Sequence, residues 1–503
     1  MQKITTRFYQ TSLLLTILLL LAFQGRMYPQ HRGDNLSFQG LYYPGDMGAK
    51  ALAMGGAYTS MSGDVTSLFW NPAGLYGIDH FQITASANYN SDLWRESQQY
   101  RPDRMFVTLP FYLEGLYVPD PKNNGQWDYF LADSTQYNVG LPVMGKDPYS
   151  KDAANWQRTG NNFKLNNIAL AVPVKLFKED FVVSAGFNIQ YNIQDYDRNN
   201  SFLAPNIGDY LYGYAPPANG IDTTVMKWYK YTRERTGNIY NASGALAYQA
   251  ADFLNVGVKV KVIWGQSDDQ LYLYRIGEFH LVDQNRFRFW YVYDDNSTQG
   301  TSKYSGINYS LGAILNLDRF SFGVNVDLPY TLERKWDYTT AHADTTGALS
   351  VHAAGTDKFE YPAVFTFGLH FMPSDIFLFS VDYETAPFSK AKFYLASGDT
   401  TFRQWVNQTA LRFGVEFKAS KMISVLAGYR SISVPFVPDG AAFTDRGPSY
   451  DSYTAGLSLN IFGGHFDLAY EFRILKYYDQ YLSNTNYKYQ SLNNLVFGYT
   501  YNL

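Results

Sequence analysis

From about residue 80 to the last residue, apolar and polar positions alternate with a period of two. Phe320, Phe322, Val324, Val326 and Leu328 take one face of a strand, and Ser321, Gly323, Asn325 and Asp327 take the other. The same alternation runs through Ile307–Asn316, Phe365–Phe371, Leu411–Phe417 and Tyr453–Ile461. Period two marks β-strands with one apolar and one polar face. The polar faces are rich in Gly, Ser, Asn and charge, which suits a water-filled lumen behind a lipid-facing wall.

The connections give the topology. Short turns fall at Lys175–Asp180, Ala250–Asp252, Asp318, Pro373–Ser374, Ala419–Lys421 and Phe462–Gly464. Between them lie longer polar segments, roughly 91–161, 194–236, 266–304, 333–360, 387–407, 435–450 and 476–491. Strict alternation of short and long connections joins about 14 strands, an even number, with both ends on the short-turn side. Arg104–Leu113 and Leu271–Asp283 also read as strands and are placed as hairpin arms within long loops. The final strand keeps Leu495, Phe497, Tyr499, Tyr501 and Leu503 on one face, as a strand that closes a barrel would. The expected fold is therefore all-β, a transmembrane antiparallel up-and-down barrel over residues 79–503.

Two N-terminal stretches break the pattern. Lys3 and Arg7 precede an apolar run, Leu13 to Phe23, that falls short of the roughly 20 residues of a spanning helix. This reads as a signal peptide over residues 1–25. Residues 26–78 do not alternate, and from Gly45 to Leu75 they are dense in Gly and Ala. Small residues let backbone pack closely, and the lumen of a wide barrel is the place for such a segment.

Composition fits this picture. Charged residues are 17%, against about 25% in an ordinary soluble domain. Aromatics reach 18%, mostly the 44 tyrosines, whose rings suit a lipid–water boundary. Mean hydropathy is −0.27, too low for a helical membrane bundle. There is no cysteine, which removes disulfides, thiolate nucleophiles, cysteine-ligated metals and a lipoprotein anchor. A net charge of −4 gives no footprint for nucleic acid, and no His-x-x-x-His pair points to a metal. No Gly-x-Ser-x-Gly elbow or phosphate loop is present, so neither an enzyme nor a cofactor is expected.

The run Gly48-Ala49-Lys50-Ala51-Leu52-Ala53-Met54-Gly55-Gly56-Ala57, then Asp64, then Trp70-Asn71-Pro72-Ala73-Gly74-Leu75, resembles the N-terminal hatch of the FadL/TodX hydrophobic-compound transporters. It also resembles the related PorV-type proteins of type IX secretion. Tyr361-Pro362-Ala363-Val364, Met372-Pro373-Ser374-Asp375, Arg412–Phe417 and Leu426–Arg430 resemble later hairpins of the same family. The resemblance implies a 14-stranded barrel of the bacterial outer membrane, closed by the hatch. It further implies that hydrophobic ligands are caught outside and leave sideways through a wall gap near the hatch.

On this reading Asn71, Pro72, Ala73 and Gly74 form the hatch turn, and Gly48, Met54, Gly55 and Gly56 pack the hatch. Pro72 fixes its own φ and restricts Asn71. Trp228, Tyr229, Phe289 and Trp290 are candidate ligand-capture aromatics, with a lipid-interface girdle as the plainer role. Lys259, Lys261, Arg412, Glu416 and Arg430 fall on the polar phase of their strands, as do Asp467 and Glu471. They form either a carboxylate-binding spot or a lumenal ion-pair network that anchors the hatch. The expected function is passive transport of long-chain fatty acids or hydrocarbons. The alternative is a PorV-like component that holds secreted protein cargo at the cell surface. The expected partners are membrane lipid and a hydrophobic small molecule.

Overall fold

A computed structural model describes residues 48–99, 126–127, 156–176, 178–205, 225–283, 286–396, 398, 405–438, 446–480 and 485–503. The expected signal peptide, residues 26–47 of the expected tail and the expected Arg104–Leu113 arm lie outside these.

The alternating segments form one closed antiparallel sheet. Its spanning strands are β1 (Gln82–Gln99), β2 (Trp156–Leu176), β3 (Glu179–Pro205), β4 (Val225–Ala251), β5 (Leu254–Asp283) and β6 (Arg286–Leu317). Then come β7 (Phe320–Asp327 and Tyr330–Asp344), β8 (Gly347–Tyr361 and Val364–Ser374), β9 (Phe377–Ala386) and β10 (Gln408–Lys418). The circuit ends with β11 (Ile423–Ser433), β12 (Ser449–Ile461), β13 (Gly464–Gln480) and β14 (Thr485–Asn502). These are fourteen strands among the described residues, beside two short ladder segments at Gln126–Trp127 and Lys392–Tyr394. β14 closes on β1, from Gln82 opposite Asn502 to Gln99 opposite Thr485.

β7 and β8 are each interrupted once. The breaks fall at Leu328-Pro329 and Pro362-Ala363, opposite each other in the same hairpin. Proline has no N–H to give to the ladder, so the sheet bends or breaks there.

The short turns stand close to where the sequence places them, except that Pro373–Ser374 still belongs to β8 and the turn follows at Asp375-Ile376. Lys178, Asp318 and Phe462 hold positive φ, the tight-turn geometry that matches strand twist. The long connections differ from expectation. Much of 194–236, 266–304 and 333–360 continues the β-ladder instead of forming loops. Leu271–Asp283 is such a hairpin arm, paired with β4 and β6. Beyond the membrane both faces of a strand can be wet, so alternation fades while pairing persists.

The faces sort as the pattern requires. Phe322, Phe367, Phe413 and Tyr453 point outward and are exposed, while Ser321, Thr366, Arg412 and Thr454 point inward and are buried. An apolar outer face and a polar inner face make this a transmembrane barrel of the outer-membrane type. No helix among the described residues is long and apolar enough to cross a membrane.

Candidate functional site

Residues 48–78 fold inside the barrel. A short helix, α1 (Ala49–Ala53), packs on the inner faces of β11 to β14. A second, α2 (Ser67–Trp70), touches β3 and β4, and the 3-10 turn Pro72–Leu75 packs across β3 to β6. The hatch thus reaches from one wall to another. Alanine is why α1 fits: its short side chains let the helix lie against the sheet. Met54 is fully buried among Ala51, Leu378 and Leu426. Gly48, Gly55 and Gly56 all hold positive φ. A Cβ on Gly55 would come within 2.6 Å of the Phe413 carbonyl on the wall.

The wall is cut away to receive the hatch. Gly257 faces Gly312, Gly323 faces Gly368, and Gly414 faces Gly428 across neighbouring strands. Glycine inside a strand costs roughly 0.5–1 kcal/mol relative to alanine. Here each pair meets hatch backbone. A Cβ on Gly257 would lie 2.5 Å from the Ala73 nitrogen, and one on Gly414 2.6 Å from the Met54 carbonyl.

Asn71 fixes the turn to the wall. It is completely buried. Its Oδ1 accepts from the Ala73 N–H at 3.1 Å, which caps the 3-10 turn. Its Nδ2 donates to the Thr59 carbonyl at 2.7 Å, and lies 3.3 Å from the carbonyls of Ala313 on β6 and Val324 on β7. Pro72 follows at the first position of the turn, where its missing N–H costs nothing. Ala73 and Gly74 are fully buried behind it, and a side chain at Gly74 would strike the Met61 carbonyl.

Charged and polar wall groups meet other parts of the hatch. Asp382 accepts from the backbone N–H groups of Tyr58 and Thr59, both at 2.9 Å. Thr454 accepts from the Gly55 N–H at 3.1 Å and donates to the Ala53 carbonyl at 3.0 Å. Glu416 pairs with Lys50 at 3.5 Å, and the Lys259 ammonium donates to the Phe69 carbonyl at 3.4 Å. Within the hatch, Asp64 accepts from the Tyr58 hydroxyl at 2.6 Å and the Thr66 N–H at 2.7 Å. Burial pushes the Asp64 carboxyl up, but His465, Lys50 and these hydrogen bonds outweigh it and hold it below the usual carboxylate range.

The remaining lumenal charges pair along the wall. Lys261 meets Asp327 at 2.8 Å, Arg412 meets Glu384 at 2.8 Å, and Arg430 meets Glu471 at 2.5 Å. Arg412 also stands 5.9 Å from the ring of Trp70 in the hatch. Asp467 is buried beside His465, 3.7 Å away.

A chamber of about 160 Å³ lies between hatch and wall. Thr59, Phe69 and Trp70 of the hatch form one side, and Lys259, Lys261, Asp327, Glu384 and Arg412 line the other. Val364, Ala386 and Phe388 connect it to an aromatic cluster. There Phe359 lies 4.7 Å from Trp405 and 4.5 Å from Phe393, and Tyr361 lies 5.7 Å from Phe388. Sequence reasoning missed this cluster. Its rings come from β8 and from the 387–407 connection, far apart in the chain. The only signal was that Phe359 shares a strand phase with Tyr361.

The four aromatics singled out from sequence stand elsewhere. Trp228 and Tyr229 lie on β4 opposite Gly277 and Arg275, and Phe289 and Trp290 lie on β6 opposite Phe279 and Glu278. The two pairs thus flank the same stretch of β5, on strands and away from the chamber.

No protein-family model and no curated protein matches the chain. Solved structures do match. A Pseudomonas aeruginosa FadL homologue is 13% identical, with a TM-score of 0.61 over 92% of this chain and 99% of its own. The Pseudomonas putida toluene transporter TodX is 15% identical, with a TM-score of 0.52 over 91% of this chain and 99% of its own. A TodX deltaS2 mutant, described as a monoaromatic hydrocarbon channel, is 14% identical, with a TM-score of 0.54 over 93% and 100%. The chain has the fold of the FadL/TodX channels.

Proposed function

We propose that this barrel is a bacterial outer-membrane channel for hydrophobic small molecules, fatty acids or hydrocarbons, moved passively and gated by the hatch. The carrying observation is the arrangement inside the lumen. A hatch fills the barrel, and beside it a chamber opens onto a cluster of aromatic rings. A pore for ions or sugars needs no such cluster. These rings, several of them edge to face, can line the path of an apolar ligand, whose burial is worth about 25 cal/mol per Å². The fold shared with the toluene transporter TodX supports the same reading.

The Pro329 and Pro362 breaks mark the wall beside the chamber, since Asp327 and Val364 line it. The ladder is interrupted in both strands there, which makes it the natural place for a sideways exit. No feature of the described residues favours the cargo-holding role over transport.

The test is uptake of labelled oleate and toluene by a deletion strain and its complemented parent. Loss of either, restored by the gene, supports transport. Unchanged uptake of both contradicts it.

A further inference from the structure

The outer wall changes character at one level. Val258, Val260 and Val262 of β5 and Ile307, Tyr309 and Leu311 of β6 point outward and are exposed, a lipid-facing strip. Above it Trp264 stands opposite Ser305, Ser305 opposite Glu333, Glu333 opposite Lys358, and Lys358 opposite Tyr394. Opposite residues share a face, so the five form one row on the outside of the sheet. Their sequence neighbours Tyr304, Leu332, Asp357 and Phe359 are buried on the inside. Trp264 continues sideways into Tyr240 and Phe187, with ring centroids 6.2 Å and 5.8 Å away. Aromatic rings above an apolar strip mark the membrane boundary, here on the side away from the short turns and so at the outer leaflet. An open groove of about 890 Å³ lies at this level. Val262 and Ile307 line its apolar side, and Ser305, Glu333, Lys358, Glu360 and Tyr394 its polar side.

We infer that this groove is a lipid-binding site, and that it holds an outer-leaflet lipid with a zwitterionic phosphate–amine head group. The inference goes beyond the channel reading and does not depend on it. The groove opens toward the membrane at the height of the aromatic belt, where lipid is the available partner. Its polar side carries both signs. Lys335 lies 3.3 Å from Glu333 and Lys392 lies 3.8 Å from Glu360, and both lysines are exposed, so these pairs hold weakly. Among the described residues no carboxylate lies within ion-pair distance of the Lys358 ammonium. Lys358 donates to the phosphate, with the Ser305 and Tyr394 hydroxyls in the same row. The amine of the head group takes Glu333, directly across from Lys358, or Glu360, next along the same face. An acyl chain follows Val262 and Ile307 down the strip. A head group with phosphate alone meets two carboxylates without an amine to answer them, so the mixed row selects for the zwitterion.

The experiment uses the full chain, purified in detergent and stripped of lipid. It is titrated with dioleoyl phosphatidylethanolamine or dioleoyl phosphatidylglycerol, and bound lipid is counted by native mass spectrometry. Variants are Lys358→Glu and Glu333→Gln, each checked for barrel folding by its heat-modifiable gel mobility. Lys175→Glu, at an exposed turn on the opposite side of the membrane, is the control. The wild type and K175E should bind phosphatidylethanolamine about tenfold more tightly than phosphatidylglycerol. K358E should weaken phosphatidylethanolamine binding about tenfold, and E333Q should bring the two lipids to within about twofold of each other. Glycerophosphoethanolamine, the head group without chains, should not displace the lipid at equal concentration. The inference is overturned if the wild type binds both lipids alike, if K358E or E333Q leaves binding as in the wild type, or if the free head group displaces the lipid. None of these results alters the uptake test of the channel reading.

Discussion

Gly257 and Gly312 stand opposite each other on β5 and β6, and the Asn71-Pro72-Ala73 turn occupies the space their side chains would take. Two glycines at one cross-strand site weaken a sheet. They are explained by the hatch, whose backbone comes closer to the wall than any Cβ allows.

Substituting Gly312→Val should therefore unseat the turn, because a Cβ there already overlaps the Asn71 Oδ1. The expected outcome is a folded barrel with raised conductance in planar bilayers. Gly244→Ala is the control, since a Cβ at that position meets nothing nearer than 3.9 Å. It should leave conductance unchanged.

Asn71→Ala removes the side-chain contacts to Thr59, Ala73, Ala313 and Val324. Buried partners left unsatisfied cost about 1–3 kcal/mol each. The hatch amides of residues 59–75 should exchange with deuterium at least tenfold faster, while the amides of β10 to β12 stay protected. Equal rates in both regions would contradict the assigned role.

Arg430 and Glu471 form a buried pair between β11 and β13, with Glu471 completely enclosed. Arg430→Met alone takes the paired cation from this buried carboxylate, leaving it the Asn494 amide at 3.4 Å, and should cost about 3–5 kcal/mol in urea unfolding. Adding Glu471→Leu should recover most of that loss. If the single and double variants unfold alike, the pair carries no mutual dependence.

Much of the wall was legible in the sequence. The Phe320–Leu328 alternation gives strand, face and lipid exposure at once, because a barrel wall has one periodicity and two solvents. The short turns were legible for a related reason: Asp318 and Phe462-Gly463 interrupt apolar runs on both sides. The hairpin arms above the membrane were not, since water on both faces erases the contrast. The hatch turn was visible as Asn71-Pro72-Ala73-Gly74, but the Asn71 contacts on β6 and β7 join residues more than two hundred positions apart. Lys259, Lys261 and Arg412 showed the correct phase. Which of them pairs with a carboxylate depends on strand register, and alternation alone does not fix register. The Phe359–Trp405 contact depends on how a long connection folds inward, for which the chain offers no periodic sign.

The central claim is that residues within 48–78 close the barrel. Single-channel recording in planar bilayers, comparing the full chain with a variant lacking residues 45–75, tests it most directly. The wild type should show little conductance, and the deletion a large, steady and non-selective one, with gel mobility confirming a folded barrel. A folded deletion variant that conducts no more than the wild type would contradict the claim.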